Sequence, residues 1–339
     1  MKICFITGHK ESKQCGISDY AELLAKELEK LGHEIERYFI NKGSEELTDL
    51  PNADLYSIQF APYAFAYNGL PNYILKYLAQ KLQDKKVHLN LHEIWVGAYP
   101  KANWKERVIG WLQKNLTVHF INKCKPAWVT SSNAAALDRL KLAGIPARFL
   151  YLFGNIPHSA NSKVTPKGQT LKVAFFGTPY ADFPYYKLGE FFSKLSKTSG
   201  KKLKIILIGR QREDAGSNHL YSMCKKSDFL IERTGELPTN LISEQMHKCS
   251  LGVSTTPYDV IGKSGATAAM LEHGLPVLAY DDGDTSQESL FIPDPFEDQI
   301  FLINDDSSVE NILKYEDKPR KPFFDGVAHT ANKMLELVS

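Results

Sequence analysis

The chain has 339 residues, of which 43% are apolar and 24% are charged, and its formal net charge at pH 7 is +2. This length exceeds that of one ordinary domain and fits two domains of about 150 residues each. The composition is typical of a soluble globular protein, and the small net charge argues against a protein that binds nucleic acid through bulk positive charge.

Five scattered cysteines form no CxxC pair, which predicts a reducing, cytoplasmic setting and neither a disulfide framework nor a zinc site. The N-terminal MKICFITG has an apolar run far shorter than a signal-peptide core and predicts a first β-strand. No stretch approaches the roughly 20 apolar residues of a membrane-spanning helix. We therefore expect any membrane contact to be peripheral, at the inner face of the membrane.

The first half of the chain alternates predicted strands with predicted helices. The strands are at 2–6, 34–40, 54–60, 86–92, 127–131 and 147–152, and the helices at 17–31, 73–82, 104–123 and 133–142. A polar loop is expected between Gly8 and Gly16. In the helix that follows, one face carries Tyr20, Leu23, Leu24, Leu28 and Leu31, and Gly32 is expected to end it.

Alternation stops at 154–169, which is polar, contains prolines and lacks apolar periodicity. We predict a linker at 157–169 between an N-terminal domain, 1–156, and a C-terminal domain, 170–318. The C-terminal segment, 319–339, is expected to form a helix that packs back on the N-terminal domain. Further strands are predicted at 171–176, 203–208, 228–232, 251–254, 276–280 and 301–303, and further helices at 185–195, 218–226, 239–248, 263–273, 309–315 and 327–337.

Strand–helix alternation on both sides of a linker predicts an α/β fold with two doubly wound, parallel, Rossmann-like sheets. Ligands of such sheets bind beyond the carboxyl ends of the strands, so the expected site is a cleft between the two domains. The most informative stretch is 251–280, where a strand is followed by a tight glycine turn and a helix of small residues. Free N–H groups and the positive end of a helix dipole there would bind a diphosphate, with Lys263, Ser264 and Gly265 as the phosphate-binding residues.

Several segments together resemble nucleotide-sugar glycosyltransferases of the GT-B fold, most closely glycosyltransferase family 4. They are CFITGHKESKQCGISDYAELLAKELEKLGHEI, LNLHE, FGNIP, VAFFGT, IILIGR and YDVIGKSGATAAMLEHGLPVLA, in the family's order and spacing. The resemblance covers most of the chain. It implies transfer of a sugar from a nucleoside-diphosphate donor to a hydroxyl acceptor, a glycan or lipid-linked glycan, with retention of anomeric configuration. It also implies no obligatory metal and no cofactor, and a place in surface-polysaccharide biosynthesis.

The resemblance and the positions of the residues together predict the residues of an active site. Catalytic roles are assigned to Gly16, His92 and Asp259. Donor phosphates are assigned to Lys263, Ser264, Gly265, Arg210 and Lys187, and further donor or sugar contacts to Ser18, Thr178 and Glu236. The family commonly carries two glutamates across this loop and helix, but the matching positions here are Ile261 and Ala269. We expect Asp259 to replace the first glutamate and Lys263 with Ser264 to take over part of the phosphate binding.

Several of these residues can also be interpreted as having a purely structural role. Gly16 and Ser18 fit an ordinary turn with Ser18 as helix N-cap. His92 fits a satisfied loop histidine, whereas His88 is expected to be structural. Lys187 fits a solvated helix face, and Arg212 competes with Arg210 for the phosphate.

Two other patterns point to different functions. GKS at Gly262–Ser264, with VLAYDD ending at Asp281 and Asp282, suggests an NTPase P-loop, but that loop requires glycine where Pro257 stands, and proline offers no N–H. The segment 104–125 mixes apolar and basic residues and fits either a helix on an anionic membrane or an amphipathic helix that faces the core, which we favour. A nucleotide-sugar epimerase of the same architecture and a non-catalytic sugar-nucleotide-binding protein stay open as alternative functions, and the oligomeric state is not indicated.

Overall fold

The computed structural model describes residues 1–8, 16–42, 47–97, 102–160, 168–210, 213–281 and 294–338. The chain divides into two compact units, the first formed by Met1–Tyr151 with Val327–Ser339 and the second by Leu152–Gly326. The described residues of the predicted linker, 157–160 and 168–169, belong to the second unit. Arg212, Asp282, most of the loop between Gly8 and Gly16 and residues 161–167 lie outside the described residues.

The first unit contains a parallel sheet of six strands with the order β2-β1-β3-β4-β5-β6. The strands are β1 (Lys2–Gly8), β2 (Glu34–Ile40), β3 (Leu55–Phe60), β4 (Val87–Leu91), β5 (Trp128–Ser131) and β6 (Arg148–Phe149). Every residue of β3 and β4 is buried, as expected for parallel strands covered on both faces. All six strands were predicted, although β6 has only two of the six residues predicted for it.

Five helices connect these strands. They are α1 (Gly16–Lys30), α2 (Pro62–Phe65), α3 (Asn72–Lys81), α4 (Trp104–Cys124) and α5 (Ala134–Leu142). The short helix α2 was not predicted. In α1 the buried residues include Tyr20, Leu24 and Leu28, and Gly32 ends the helix with φ +87°. Leu31, predicted on the buried face, lies beyond the last turn and is exposed.

The second unit contains another parallel sheet of six strands, with the order β12-β11-β10-β7-β8-β9. The strands are β7 (Thr170–Phe176), β8 (Lys202–Ile208), β9 (Leu230–Arg233), β10 (Leu251–Val253), β11 (Val277–Ala279) and β12 (Ile300–Leu302). Its helices are α6 (Tyr185–Ser199), α7 (Ala215–Lys226), α8 (Thr239–His247), α9 (Gly265–Glu272) and α10 (Ser308–Glu316), with 3₁₀ helices at Tyr258–Lys263 and Asp294–Gln299. Its core includes fully buried Val173, Ile205 and Phe192.

The last helix is α11 (Gly326–Val338), and from Val327 onward it belongs to the first unit. There the Thr330 hydroxyl donates a hydrogen bond of 3.2 Å to the carbonyl of Tyr151. Among the described residues, no helix combines the length and the apolar character that a membrane span requires.

The predicted helix 263–273 was wrong at its start. Residues Tyr258–Lys263 form a 3₁₀ helix, Ser264 is extended (φ −95°, ψ 99°), and α9 begins at Gly265. The Ser264 side chain accepts the N–H of Thr267, so the serine stands before the helix as its N-cap rather than inside it. At the other end Gly274 has φ +66°, the left-handed conformation predicted for it.

Candidate functional site

The carboxyl ends of β7, β10 and β11 lie side by side at one edge of the second sheet, because β10 pairs in parallel with both neighbours. Gly177 directly follows β7 with φ +93°, and a Cβ atom at this position would lie 3.0 Å from the Cβ of Ala266 in α9. The first turn of α9 therefore reaches the end of β7, and a side chain on residue 177 would hinder that approach. The predicted phosphate-binding turn thus lies at the carboxyl edge.

The first turn of α9 leaves main-chain donors free. The first helical hydrogen bond runs from the N–H of Ala268 to the Ser264 carbonyl at 2.9 Å, and the N–H groups of Gly265 and Ala266 meet no acceptor among the described residues. The Ser264 hydroxyl is already engaged, since it accepts hydrogen bonds from the Thr267 N–H at 3.3 Å and from the Thr267 hydroxyl at 2.9 Å. Ser264 therefore shapes the helix start with its side chain, and an anion would meet the main chain.

Several nominated residues surround this turn. Lys263 ends the 3₁₀ helix with an exposed side chain, and Asp259 is half-buried in the same helix. Thr178, just after β7, is exposed, and its carbonyl accepts a hydrogen bond of 3.4 Å from the Thr255 hydroxyl beyond β10. The same Thr255 oxygen accepts the N–H of Tyr180 at 3.1 Å, so it links the loops that follow β7 and β10.

Lys187 is held at the same edge of the sheet. It lies in the first turn of α6, and its Nζ donates a hydrogen bond of 2.8 Å to the hydroxyl of Tyr280, the residue directly after β11. The ammonium also lies 4.8 Å from the centre of the Tyr280 ring. The hydrogen bond to Tyr280 raises the pKa of Lys187. The Lys187 side chain is half-buried and is oriented by the tyrosine.

Arg210 and Glu236 follow the neighbouring strands β8 and β9. The Gly209 N–H donates a hydrogen bond of 3.0 Å to the Thr234 hydroxyl, and Gly209 pairs with Gly235 in an isolated bridge. These contacts join the two strand ends, and both Arg210 and Glu236 are exposed beyond them.

Buried polar groups hold α9 in place. Glu272 is only 2% exposed, and its carboxylate accepts the Gly154 N–H at 2.9 Å. Arg320 donates to the carbonyls of His273, His247 and Met246 at 2.9–3.1 Å, which ties together the ends of α8 and α9. Neither residue was predicted from the sequence: Glu272 lies inside the segment YDVIGKSGATAAMLEHGLPVLA but at neither of the two glutamate positions, and Arg320 lies in no quoted motif.

The two positions of the absent glutamate pair belong to the core. Ile261 is 3% exposed and Ala269 is fully buried. Asp259 is the acidic residue of the 3₁₀ helix. Within the residues that the structure describes, no three or more histidine, cysteine or carboxylate side chains are grouped to hold a metal ion.

The remaining nominated residues lie in the first unit. Gly16 is exposed and begins α1, where a helix start was expected. Ser18 is then inside the first turn, so its interpretation as N-cap was wrong; the helix begins two residues earlier. His92 directly follows β4, is 6% exposed and lies within hydrogen-bonding distance of Gln59, so the alternative of a satisfied loop histidine describes its surroundings.

His92 is a neutral side chain inside a polar network. Its Nε2 lies 2.8 Å from Gln59 Oε1, and its ring packs edge-on against Tyr20 with centres 4.8 Å apart. Burial lowers the pKa of His92 to about 3. His88 is structural, as expected: it is fully buried, and its ring nitrogens lie 3.0 Å from Ser57 Oγ and 2.8 Å from Thr130 Oγ1. The polar–apolar alternation of HLNLH was the signal that could have placed His88, Asn90 and His92 on one face of β4.

The first half of helix α4 does not face the core with its large apolar residues, whereas Phe120 in the second half is buried in the core. The helix buries Gly110, Gln113 and Thr117 among others, while Trp104 is 70% and Trp111 64% exposed. Gln113 accepts the Val96 N–H at 2.9 Å and donates to the Gly69 carbonyl at 3.1 Å. The favoured interpretation of a core-facing amphipathic helix was therefore wrong for the first half of α4. Gly110 and Gln113 let loops pack against this side of the helix, and the two tryptophans lie on the exposed side.

A cavity of about 660 Å³ lies at the opposite, amino edge of the second sheet, lined by residues that include Thr170, Pro276 and Arg320. Ligands of parallel α/β sheets bind at the carboxyl edge. We therefore do not assign the donor to this cavity.

Solved structures with the same fold include glycosyltransferases and an epimerase. HepE of Anabaena, in complex with UDP and glucose, matches with 13% identity and a TM-score of 0.57, covering 99% of this chain and 98% of that one. The lipopolysaccharide outer core galactosyltransferase WaaB matches with 10% identity and a TM-score of 0.57, covering 98% and 95%. UDP-GlcNAc 2-epimerase from Methanocaldococcus jannaschii matches with 11% identity and a TM-score of 0.52, covering 100% and 99%.

Neither a scan against protein-family models nor a search of curated proteins finds a match. Membership of glycosyltransferase family 4 therefore stays a prediction. The GT-B expectation rested on the order of strands, glycine turns and helices along the chain, and it is confirmed. The chain has the two-domain, Rossmann-like GT-B glycosyltransferase fold, with one parallel sheet of six strands in each unit.

Proposed function

We propose that the protein is a glycosyltransferase that moves a sugar from a nucleoside diphosphate to a hydroxyl acceptor, a glycan or lipid-linked glycan. The observation that carries the proposal is the start of α9 at the carboxyl edge of the second sheet, where no acceptor from the described part of the chain meets the N–H groups of Gly265 and Ala266. HepE, a protein of the same fold, has been solved with UDP and glucose bound. That complex supports a nucleotide sugar as the donor.

The chemistry needed at this edge is electrostatic. When the bond between the sugar and the diphosphate breaks, negative charge grows on the departing phosphate oxygens. The main-chain N–H groups and the dipole of α9 stabilise that charge, assisted by Lys263 and Arg210. A preorganised donor of this type contributes about 3–4 kcal/mol in comparable oxyanion sites. We assign Asp259 to the sugar or ribose hydroxyls, in place of the absent glutamate.

The first unit supplies the acceptor side of the reaction in this proposal. His92 at the end of β4 is a neutral imidazole with a pKa of about 3, so it serves as a hydrogen-bonding partner of a hydroxyl. At the start of α1, no atom of the described residues lies within 4 Å of the position that a Cβ on Gly16 would occupy. We include retention of anomeric configuration and independence from metal in the proposal on the strength of the sequence resemblance.

We also propose that α4 contacts an anionic lipid surface that carries the acceptor. Trp104, Val108 and Trp111 form an exposed apolar face at i, i+4 and i+7, and Lys105 and Arg107 are exposed beside them. The acidic residue of this stretch, Glu106, is engaged in a capping box with Asn103. Tryptophans flanked by cations are typical of helices that lie in the headgroup region of anionic membranes.

A thermal-shift screen across nucleoside diphosphates and their sugars tests the donor. A ligand at 100 times its Kd stabilises the folded state by about 2.7 kcal/mol, which is readily measured as a rise in Tm. We expect one nucleoside diphosphate and its sugar to raise the Tm, and product to form when a hydroxyl acceptor is added. Absence of a shift with every nucleotide would contradict the proposal.

An epimerase is the second candidate, because a UDP-GlcNAc 2-epimerase has the same fold. The two functions differ in their need for an acceptor. An epimerase converts the donor sugar without one, using acids and bases to remove and return a proton. Chromatography of the donor after incubation alone would show an isomerised sugar nucleotide for an epimerase and unchanged donor for a transferase. Tight donor binding with no turnover on any acceptor would instead indicate a sugar-nucleotide-binding protein, which the absent glutamate pair also allows.

A further inference from the structure

Beneath His92, five buried side chains of β3, β4 and β5 form a closed ring of hydrogen bonds. Each of the five is at most 4% exposed. In order around the ring, the members are Gln59, Ser57, His88, Thr130 and Asn90, and the successive distances are 2.8, 3.0, 2.8, 2.9 and 3.0 Å. The register explains the closure, because Ser57 pairs with His88, Gln59 with Asn90, and Asn90 with Thr130 on neighbouring strands.

A ring of this kind can run in two directions, and the orientation of its two amide side chains decides between them. The Asn90 amide nitrogen faces Gln59 Oε1, and the Asn90 oxygen accepts the Thr130 hydroxyl. The Gln59 amide nitrogen faces the Ser57 hydroxyl.

The direction then follows around the whole ring. Thr130 donates to Asn90, His88 donates through Nε2 to Thr130, Ser57 donates to His88 Nδ1, and the Gln59 amide donates to Ser57. Gln59 Oε1 is left as an acceptor, and it faces His92 Nε2 at 2.8 Å. Asn90 Nδ2 also lies 3.3 Å from His92 Nε2, but the contact with Gln59 Oε1 is 0.5 Å shorter and therefore favours a proton on Nε2, which leaves Nδ1 with a lone pair.

His92 Nδ1 is not fully enclosed by the described residues. No described residue forms a hydrogen bond with it, and it is absent from the fully enclosed polar atoms that lack a partner. His92 directly follows β4, at the carboxyl edge where ligands of parallel sheets bind.

We propose that Gln59 is a positioning residue that fixes His92 as the Nε2–H tautomer, so that Nδ1 accepts a hydrogen bond from a hydroxyl group of the bound substrate. The identity of the ligand as a sugar or acceptor hydroxyl rests on the proposed function. The tautomer itself does not, since it follows from the direction of the ring and from the short contact between His92 Nε2 and Gln59 Oε1.

Nuclear magnetic resonance of ¹⁵N-labelled histidine at pH 7 tests the tautomer without substrate, with His92→Phe used to assign the signals. We expect Nε2 to resonate as a protonated nitrogen and Nδ1 as an unprotonated one. In Gln59→Met, which keeps the length of the side chain, we expect a mixture of tautomers and about a 10-fold loss of kcat/KM, the lower end of what removal of a supporting hydrogen bond typically costs. A wild-type Nδ1–H tautomer, or an unchanged tautomer in Gln59→Met, would overturn the proposal.

Two further variants separate positioning from folding. Gln59→Glu keeps an oxygen opposite His92 and should retain the Nε2–H tautomer, with a raised pKa for His92 because of the new charge. Ser57→Ala breaks the ring away from His92 and should lower the Tm without changing the tautomer. The wild-type spectrum alone decides the tautomer, so the proposal stays decidable if Gln59→Met fails to fold.

Addition of donor and acceptor tests the ligand. We expect the Nδ1 resonance to shift when the hydroxyl-bearing substrate binds. Turnover without such a shift would overturn the assignment of Nδ1 to a hydroxyl. Failure of every nucleotide sugar and acceptor to react would instead refute the proposed function and leave the tautomer measurement standing.

Discussion

His88 and His92 are two neutral imidazoles enclosed in the first unit, with hydrogen-bonding partners that carry no charge. Burial lowers the pKa of His88 to about 4 and that of His92 to about 3. A charged imidazolium would lose its hydration and gain no counter-ion from the ring, so the network favours the neutral form. The consequence is a specific dependence of stability on pH.

Below pH 6.5 the unfolded chain binds protons at these histidines, whereas the folded chain does not until the pH approaches 4. The free energy of unfolding should therefore be insensitive to these groups above about pH 6.5 and fall by about 1.4 kcal/mol per pH unit for each histidine below it. Urea unfolding of the first unit at pH 7, 6 and 5 measures this slope. His92→Gln should reduce it, whereas His119→Gln, at an exposed position of α4, should not. An identical slope in His92→Gln and wild type would contradict the assignment.

Lys263 and Arg210 are exposed cations beyond the carboxyl ends of the second sheet's strands. If they meet the departing diphosphate, Lys263→Ala and Arg210→Ala should each lower kcat/KM, by about 100-fold if their contribution equals that of a typical oxyanion donor. The Tm should stay close to wild type, because neither side chain is buried. Lys225→Ala, at an exposed position near the end of α7, is the matched control and should keep wild-type kinetics. Wild-type kinetics in both test variants would remove the phosphate assignment.

At the scale of elements, apolar periodicity and glycine positions predicted the twelve strands because each pattern is local. The start of α9 was predicted at Lys263, because the segment GKSGATAA does not show where the 3₁₀ helix ends and the α-helix begins. The Ser264 hydroxyl, which accepts a hydrogen bond from the Thr267 hydroxyl, marks that start. The ring of hydrogen bonds that includes Gln59 could not be predicted from the sequence, for another reason. Its members come from three strands, and their proximity depends on the order β3-β4-β5 and on a register that no single segment encodes.

The buried face of helix α4 also could not be predicted from the sequence alone. Its composition suggested a core-facing helix, but Gly110 and Gln113 occupy the buried face, where a Cβ on Gly110 would lie only 1.8 Å from the Val96 carbonyl oxygen. The close approach of that loop requires a residue without a side chain. The apolar stripe that remains, with Trp104 and Trp111, is turned away from the core of its own unit.

This exposed stripe leads to a prediction about lipid binding. The protein should co-sediment with vesicles that contain anionic phosphatidylglycerol more than with pure phosphatidylcholine, and added salt should weaken the binding. Replacing Trp104 and Trp111 by serine should weaken it about tenfold per tryptophan, given the apolar surface that each would bury. Leu142→Ser removes a side chain that is 85% exposed on α5 and serves as the control. Equal binding of wild type and the double variant would contradict a lipid-facing α4.

At the scale of the whole molecule, two units with the same parallel architecture carry different chemistry at their carboxyl edges. The first presents a neutral histidine fixed by uncharged partners, which suits a hydroxyl group. The second presents main-chain N–H groups that meet no acceptor in the described residues, and these groups suit a diphosphate. Lys263 precedes them in sequence, Arg210 follows β8, and Lys187 of α6 is bonded to Tyr280 after β11. The transfer of a sugar from a nucleotide to an alcohol requires two such ligands. The alcohol is the polar, neutral one, and the nucleoside diphosphate is the anionic one.

This division predicts that a nucleoside diphosphate stabilises the second unit selectively. Each unit has its own sheet and core, so hydrogen exchange can report on the two separately. At 100 times the Kd of the nucleotide, the opening free energy of β7 and β8 should rise by about 2.7 kcal/mol, whereas that of β3 and β4 should stay unchanged. The strongest local protection should fall on the amides of Gly265 and Ala266, and Lys263→Ala should raise the nucleotide concentration required. Protection confined to the cavity near Thr170 and Arg320, at the amino edge, would place the nucleotide there and refute the role of α9.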